Sequence, residues 1–356
     1  MKRSRNKLFA FLALVVLSCM ILTACAAPTP PPAPTPPTPT PTPTTPEVFH
    51  WKVQGIFPPG DLTNGIHQAT WDAMEKASNG RLVLERFPMG ALASEDGMLD
   101  AVGSGAIDMI SATAVYYSGT IPEGLGLVDM GLPLSWQTPE DAYSIYYEHG
   151  LLDLMRKVYA DNFNFYYIGP AGCGRYGLST NFPVTSLADL KGRKIRSVGI
   201  NAYVVEKAGG APVYIPGSDI YMGLKLGTVD GIVYSYPELE TLGYKEVLRY
   251  VILPPWLCPP ISGYWVNLDK WNALPDDLKQ TLEKVVKESF VPMTEEVMKE
   301  DEKIFASAEI VIITLPPSDV ATLKGYAVEA WDSEVAAKGP LGAQAVKIIK
   351  DYYGLK

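Results

Sequence analysis

Apolar and polar positions along the chain predict strands and helices that follow one another in turn. In the first half, strands are predicted over 48–54, 82–87 and 107–112, and helices over 64–78 and 95–104. In the second half, strands are predicted over 163–169, 194–198, 212–215, 231–234 and 310–314, and helices over 186–190, 202–208, 219–225, 275–306, 318–337 and 341–351. This order is typical of α/β lobes with parallel strands. The helix that opens at Pro275 is long enough to lie across two lobes.

The segments 99–108 and 222–231 share one pattern, in which a helix ends in glycine and an aspartate opens the next strand. Glycine supplies the positive φ that stops the helix, and aspartate caps the tight turn. Twin units of this kind suit a two-lobed binding protein, although they also suit many α/β enzymes.

The first 46 residues predict an export signal followed by a spacer. A basic start and an apolar run over 8–22 form a secretory signal at 1–24. Cys25 follows Leu-Thr-Ala, which resembles the bacterial lipobox and implies a lipid on Cys25; an ordinary cleaved signal is the alternative. The stretch 28–46 holds 11 prolines in 19 positions, so residues 25–46 are predicted to form an extended polyproline linker rather than a ligand for a partner domain.

The remaining chain, about 310 residues from Glu47, exceeds what one hydrophobic core usually serves, so two lobes are expected. We predict lobe I over 47–170 and lobe II over 171–262, with a C-terminal segment over 263–356 whose long helix packs across both. The formal charge is −9, and removal of the signal makes it more negative. This balance argues against nucleic acid and against adhesion to anionic lipid, but a pocket can still hold local positive charge.

Cysteine and histidine usage excludes several kinds of chemistry. Cys173 and Cys258 are the two cysteines after the lipobox, and either a disulfide or two buried thiols is compatible with an extracytoplasmic chain. His50, His67 and His149 lie far apart without a zinc-binding or dyad spacing. A hydrolase would need a G-x-S-x-G or S-x-x-K motif or an aligned base, and the sequence after the predicted signal offers none of these.

The stretch 186–196, SLADLKGRKIR, resembles the signature of the extracytoplasmic binding proteins of tripartite ATP-independent periplasmic (TRAP) transporters, the DctP type. Further blocks follow the same order at 105–108, 217–221, 226–231 and 266–275, and the resemblance covers 48–352. It is closest to the 2-oxoacid-binding subgroup. The resemblance implies a two-lobed periplasmic-binding-protein-like fold of the type II kind, a non-enzymatic role, and a membrane permease as partner, as a monomer or a dimer.

The resemblance also implies ligand-binding residues. Arg196, which ends the K-I-R strand, is expected to pair with the ligand's carboxylate, since a guanidinium presents two parallel donors; a surface arginine on an edge strand is the alternative. Arg175, in a glycine-rich stretch, is expected to be a second ligand contact or part of a crossing between lobes. Relatives in the subgroup carry a metal-ligating acidic residue where this chain has Val233, so no metal or other cofactor is expected; Glu238 or Glu240 could substitute only if the loop were shifted.

Four tyrosines are expected to line the cleft, two from each lobe, or else to be plain core: Tyr116, Tyr117, Tyr234 and Tyr236. The leading interpretation is a lipid-anchored, extracytoplasmic solute-binding protein that captures a small carboxylate between two lobes and delivers it to a permease. A receptor subunit for a sensor kinase would have the same fold and pocket. A binding protein of an ATP-driven importer and an extracellular hydrolase fit the sequence less well.

Overall fold

Two mixed β-sheets form the framework of the protein. The structure is a computed structural model, and it describes residues 47–355. The predicted signal, Cys25 and the proline-rich linker lie outside the described residues. The strands are β1 Phe49–Gly55, β2 Leu82–Phe87, β3 Met109–Ala112, β4 Phe165–Gly172, β5 Tyr176–Thr180, β6 Lys194–Arg196, β7 Ala211–Val213, β8 Gly231–Ser235, β9 Tyr250–Leu257, β10 Ile261–Asn267 and β11 Val311–Thr314.

The strand order is β2-β1-β3-β10-β4 in the first sheet and β11-β9-β5-β8-β6-β7 in the second. In the first sheet, β1 runs parallel to β2 and β3, and β10 is antiparallel to β3 and β4. In the second sheet, β6 runs parallel to β7 and β8, whereas β5 is antiparallel to β8 and β9. Each sheet therefore contains a three-stranded parallel unit whose carboxyl ends share one edge.

Helices cover both sheets. They are α1 Leu62–Ala77, α2 Met98–Gly103, α3 Leu125–Met130, α4 Pro139–Tyr147, α5 Leu151–Phe163, α6 Ile200–Lys207, α7 Ile220–Lys225, α8 Glu238–Thr241, α9 Leu268–Ala273, α10 Asp276–Phe305, α11 Pro317–Glu334 and α12 Pro340–Tyr352. Within residues 47–355, no helix combines the length and the apolar character that a membrane span requires.

Two short connections that contain no helix carry the chain from one sheet to the other. It leaves the first sheet at Gly172 and enters the second at Tyr176, and it returns between Leu257 and Ile261. The predicted lobe divisions at 170/171 and 262/263 fall inside β4 and β10, a few residues from these crossings.

The long helix α10 contacts both lobes. Its first half packs Leu278, Leu282 and Val286 into the core that lies against the first sheet. Its last turn places Ile304 in the core of the second sheet. The structure therefore has the two-lobed α/β architecture, with a long helix joining the lobes, that the sequence predicted.

Candidate functional site

A cavity lies between the two sheets, where the carboxyl ends of β1, β3, β6 and β8 meet. Ligands of open α/β sheets bind at such strand ends. The cavity encloses about 50 Å³ of free space, and one buried water needs roughly 10–15 Å³ of it, so the cavity suits a molecule of a few heavy atoms. Its lining residues are Phe57, Asp61, Thr63, Thr113, Val115, Tyr116, Met130, Cys173, Tyr176, Arg196, Val198, Tyr234, Ser235, Glu238, Pro260, Ile261 and Ser262.

Arg196 is the cation of this cavity. It is the last residue of β6, and its side chain is completely buried. Nε donates a hydrogen bond to the carbonyl oxygen of Ile215 at 3.2 Å, while Nη1 and Nη2 have no hydrogen-bond partner among residues 47–355. A buried guanidinium with two unpaired donor nitrogens is costly unless an anion meets it. The geometry therefore favours an anionic group beside Arg196.

Tyrosine rings surround the guanidinium. The Arg196 Cζ atom lies 5.3 Å from the centroid of the Tyr234 ring, and Tyr116 and Tyr176 line the same cavity. Burial raises the pKa of all three phenols, so they remain neutral hydrogen-bond donors. Tyr116 and Tyr234 were predicted from the sequence, whereas Tyr176, which directly follows Arg175 in the same glycine-rich stretch, was not.

Two carboxyl groups line the cavity from opposite lobes. Asp61 precedes α1, and its Oδ1 accepts a hydrogen bond from the Thr63 backbone N–H at 2.7 Å. Glu238 opens α8, just after β8, and its Oε2 has no hydrogen-bond partner within the described range. The two residues are 3% and 1% exposed. Burial, followed by repulsion from Asp61, raises the pKa of Glu238 to about 8, and burial also raises the pKa of Asp61.

Val233, at the position where relatives are expected to carry a metal-ligating acid, lies outside the cavity. Val233 is completely buried in the hydrophobic core and does not line the cavity. Glu238, which was considered only for a shifted loop, is the acidic residue from this region that does line it. No cluster of three or more His, Cys, Asp or Glu suited to a metal occurs in the part of the chain that the structure describes.

Arg175 does not line the cavity. Its backbone N–H donates to Asp301 Oδ2 at 3.0 Å, and its Nη1 donates to Asp301 at 3.3 Å and to Glu302 at 2.8 Å. Its guanidinium also lies over the Phe305 ring. In this structure Arg175 therefore joins the crossing segment between β4 and β5 to α10, and the carboxylates of α10 satisfy its charge.

Tyr117 and Tyr236 also point away from the cavity. The Tyr117 hydroxyl donates to the carbonyl oxygen of Glu95 at 2.9 Å, and its ring packs edge-on against Trp265. The Tyr236 hydroxyl donates to the carbonyl oxygen of Ile252 at 2.9 Å. Both side chains are buried in the core of their own lobe, which is the plainer of the two interpretations that the sequence left open.

The two cysteines remain separate. Neither Cys173 nor Cys258 forms a disulfide within residues 47–355, and both are buried. Cys173 lines the cavity and accepts a hydrogen bond from Thr63 Oγ1 at 3.2 Å. Burial raises the pKa of Cys173 to about 12 and that of Cys258 to about 11, so both are protonated thiols at neutral pH.

Comparison with known proteins identifies the family. Residues 63–338 match the family model DctP, described as bacterial extracellular solute-binding protein, family 7. The chain belongs to this family. The family consists of non-enzymatic, extracytoplasmic transport proteins of TRAP systems, which confirms the predicted family and the expectation that this protein is not an enzyme.

Sequence identity to individual relatives is low. The chain is 30% identical over 220 residues to a monocarboxylate 2-oxoacid-binding periplasmic protein of Nostoc sp., a match that covers 61% of this chain and 59% of that protein. It is 24% identical to the C4-dicarboxylate-binding periplasmic protein DctP of Rhodobacter capsulatus, over 64% of this chain and 68% of that one.

Solved structures confirm the predicted fold class. A TRAP periplasmic solute-binding protein of Chromohalobacter salexigens, with bound (S)-(+)-2-amino-1-propanol, superposes with a TM-score of 0.77 at 21% identity, covering 86% of this chain and 96% of that chain. A second one, from Colwellia psychrerythraea with bound calcium and pyruvate, gives 0.75 at 22% identity, covering 86% and 94%.

Proposed function

We propose that this protein is the solute receptor of a TRAP transporter and that it captures a small organic acid in the cavity between its lobes. The observation that carries the proposal is the completely buried Arg196, whose two terminal nitrogens have no hydrogen-bond partner among the described residues. A carboxylate accepts two parallel hydrogen bonds from these nitrogens and neutralises the charge. The names of the Nostoc and Rhodobacter relatives, which bind mono- and dicarboxylates, support the same class of ligand.

Binding and closure are coupled in this proposal. Tyr116 comes from the first lobe, whereas Arg196 and Tyr234 come from the second. A carboxylate held by Arg196 and contacted by Tyr116 stabilises the closed arrangement more than the open one, so ligand shifts the population toward closure. The closed receptor then delivers its ligand to the permease. We further propose direct capture by arginine without a metal ion, because Arg196, the basic residue among the described residues that line the cavity, supplies the matching charge.

Export and tethering complete the proposal. A lipid on Cys25 anchors the protein at the outside of the membrane, and residues 25–46 space the receptor from the lipid surface. The support is the signal, lipobox and proline-rich pattern of the sequence. Replacement Cys25→Ser tests this: metabolic labelling with an alkyne fatty acid should label the wild-type protein alone, and the variant should leave the membrane fraction. Equal labelling of the two proteins would contradict the lipid anchor.

The carboxylate site is tested by a thermal-shift and calorimetric screen of small carboxylates, with and without chelator. Arg196→Met should weaken the best ligand by at least about 30-fold, because loss of a buried charge pair costs roughly 2–5 kcal/mol. Arg193→Met is the matched control, since Arg193 lies three residues earlier on the exposed surface over the Phe182 ring. Unchanged affinity in Arg196→Met would refute the site, and binding abolished by chelator would refute direct capture.

A further inference from the structure

The cavity is lined by a basic side chain, Arg196, and by two acidic side chains, Asp61 and Glu238. The basic side chain does not pair with either acid. No salt bridge joins Arg196 to either acid among the described residues, and Arg196 Nη1, Arg196 Nη2 and Glu238 Oε2 all lack hydrogen-bond partners there. The protein therefore presents an unpaired cation and an unpaired acidic group to the same small space.

The acidic pair is not explained by capture of a carboxylate. A carboxylate that meets Arg196 neutralises the guanidinium, which leaves Asp61 and Glu238 without a countercharge. Both acids are nearly fully buried and come from opposite lobes, so closure of the cleft brings like charges together in a poorly solvated space. Burial raises the pKa of both groups, which reflects the same cost. Either a proton or a cationic group must accompany closure.

We propose that the ligand is a small zwitterion, whose carboxylate pairs with Arg196 and whose protonated amine is held between Asp61 and Glu238. This inference rests on the proposed function, because it keeps the carboxylate on Arg196 and adds the second contact. An ammonium brings the positive charge that the acid pair needs and up to three donors for its oxygens. A hydroxyl or a ketone brings no charge, and a ketone brings no donor.

The bridging position of the amine makes it a specificity determinant. One carboxyl belongs to each lobe, so an ammonium between them attracts both lobes and favours the closed form. An oxo acid or a hydroxy acid of the same size leaves neutralisation of the buried acids to a proton, so its binding lacks the charge-assisted hydrogen bonds that an ammonium makes to both carboxyl groups. The cavity volume of about 50 Å³ restricts the ligand to a short carbon chain.

Three matched pairs of ligands test the inference by calorimetry on the purified protein in the presence of chelator: alanine with lactate, β-alanine with 3-hydroxypropionate, and 4-aminobutyrate with 4-hydroxybutyrate. The pairs vary the distance between the two charged ends while each keeps one carboxylate. The amino member should bind at least about 10-fold more tightly than its hydroxy partner in the best pair, which corresponds to about 1.4 kcal/mol.

Variants then assign the preference to the acid pair. Glu238→Gln should remove the amino preference while carboxylate binding still depends on Arg196. Asp61→Asn is the second variant, since asparagine keeps the helix cap. Glu240→Gln is the matched control, because Glu240 is exposed on the same short helix and pairs with Lys245; it should keep the preference.

The outcomes separate this inference from the proposed function. Hydroxy acids that bind as tightly as amino acids in all three pairs, in an Arg196-dependent way, would overturn the zwitterion and leave carboxylate capture standing. If hydroxy acids reach the affinity of amino acids only after calcium is added, a metal ion rather than an amine lies between Asp61 and Glu238, and the zwitterion is overturned. Absence of any Arg196-dependent binding across the panel would refute both proposals.

Discussion

Gly199 and Val115 meet across the cleft. Gly199 follows β6 in the second lobe and has a φ of 55°, and a Cβ atom at this position would lie 2.7 Å from Val115 Cγ2 in the first lobe. The same Cβ would lie 2.9 Å from Leu127 Cδ2, also in the first lobe. Glycine at 199 therefore permits two things at once: a backbone with positive φ three residues after Arg196, and close contact between the lobes.

Replacement Gly199→Ala should hinder closure more than it harms folding. This backbone conformation costs roughly 1–3 kcal/mol for a residue with a Cβ, and the Cβ would also clash with Val115 and Leu127 across the cleft as the lobes are arranged in this structure. We expect ligand affinity to fall by about 10-fold or more and the liganded protein to stay more open, as measured by calorimetry and small-angle X-ray scattering.

Gly192→Ala is the control for this experiment. Gly192 has a φ of 75°, but its Cβ would meet no atom within 4 Å. This variant should lose stability from the backbone strain and retain wild-type affinity. If both alanine variants lose affinity equally, the contact between lobes at Gly199 is not what matters.

Neighbouring tyrosines should respond differently to loss of their hydroxyl groups. Tyr116 lines the cavity beside Arg196, whereas the Tyr117 hydroxyl is bonded to the Glu95 carbonyl oxygen in the core. Tyr116→Phe should weaken ligand binding by about 2- to 10-fold, and Tyr117→Phe should cost about 1 kcal/mol of stability at unchanged affinity. Calorimetry and urea unfolding of both variants check this, and a larger affinity loss in Tyr117→Phe would reverse the assignment.

Much of the fold could be predicted from sequence because local signals were strong. The long helix α10 was expected over 275–306 and is found at Asp276–Phe305, since its acidic start and apolar spacing are unambiguous. The strands β5, β9 and β10 were missed. Of these, β9 contains Pro254 and Pro255, which argue against a strand. Three helices between 125 and 163 were also missed, in a stretch where tertiary packing rather than a clear periodic pattern defines the elements.

Site residues that carry a signal in the local sequence could be predicted, and those that depend on contacts distant along the chain could not. Arg196 could be named because a family signature ends on it, and it lines the cavity. Asp61 was missed because an aspartate before a helix already has a sufficient local explanation as a cap. Arg175 was named because the family resemblance implies a second ligand contact near this position, but its charge is satisfied by Asp301, which lies 126 residues away along the chain. Pairings over such distances leave no pattern in a single sequence.

His67 should make the protein sensitive to mild acid. It is completely buried beside Ser262, with 2.8 Å between Nε2 and Oγ, and burial lowers its pKa to about 3. Because the unfolded chain takes up this proton below a pH of about 6.5, the contribution of His67 to stability should fall as the pH drops from 6.5 toward 3, by up to about 1.4 kcal/mol per pH unit.

Urea unfolding between pH 4 and 8 measures this slope. His67→Gln keeps a nitrogen near Ser262 but does not titrate, so its stability should depend less on pH between 4 and 6.5. His149→Gln, at an exposed position, is the control and should behave like the wild type. An identical acid slope in His67→Gln would show that other groups cause the sensitivity.

Asp301 should have the opposite effect over an overlapping pH range, from about 3.8 to about 7, so each contribution is measured as the difference between a variant and the wild type. Its side chain is completely buried, and desolvation raises its pKa to about 7 although Arg175 donates two hydrogen bonds to it. Because the pKa of Asp301 is raised in the folded protein, its protonated form stabilises the fold fully at a pH below the unfolded-state pKa of 3.8. This stabilisation is lost as the pH rises through about 7.

Asp301→Asn keeps an acceptor for Arg175 without the buried charge, so it should gain on the order of 1 kcal/mol over the wild type at pH 8. Glu302→Gln, which removes the more exposed partner of Arg175, should leave the pH dependence unchanged. Urea midpoints of the three proteins at pH 5 and pH 8 decide the matter: a variant Asp301→Asn that is less stable than the wild type at pH 8 would mean that the ion pair with Arg175 outweighs the cost of burying the carboxylate.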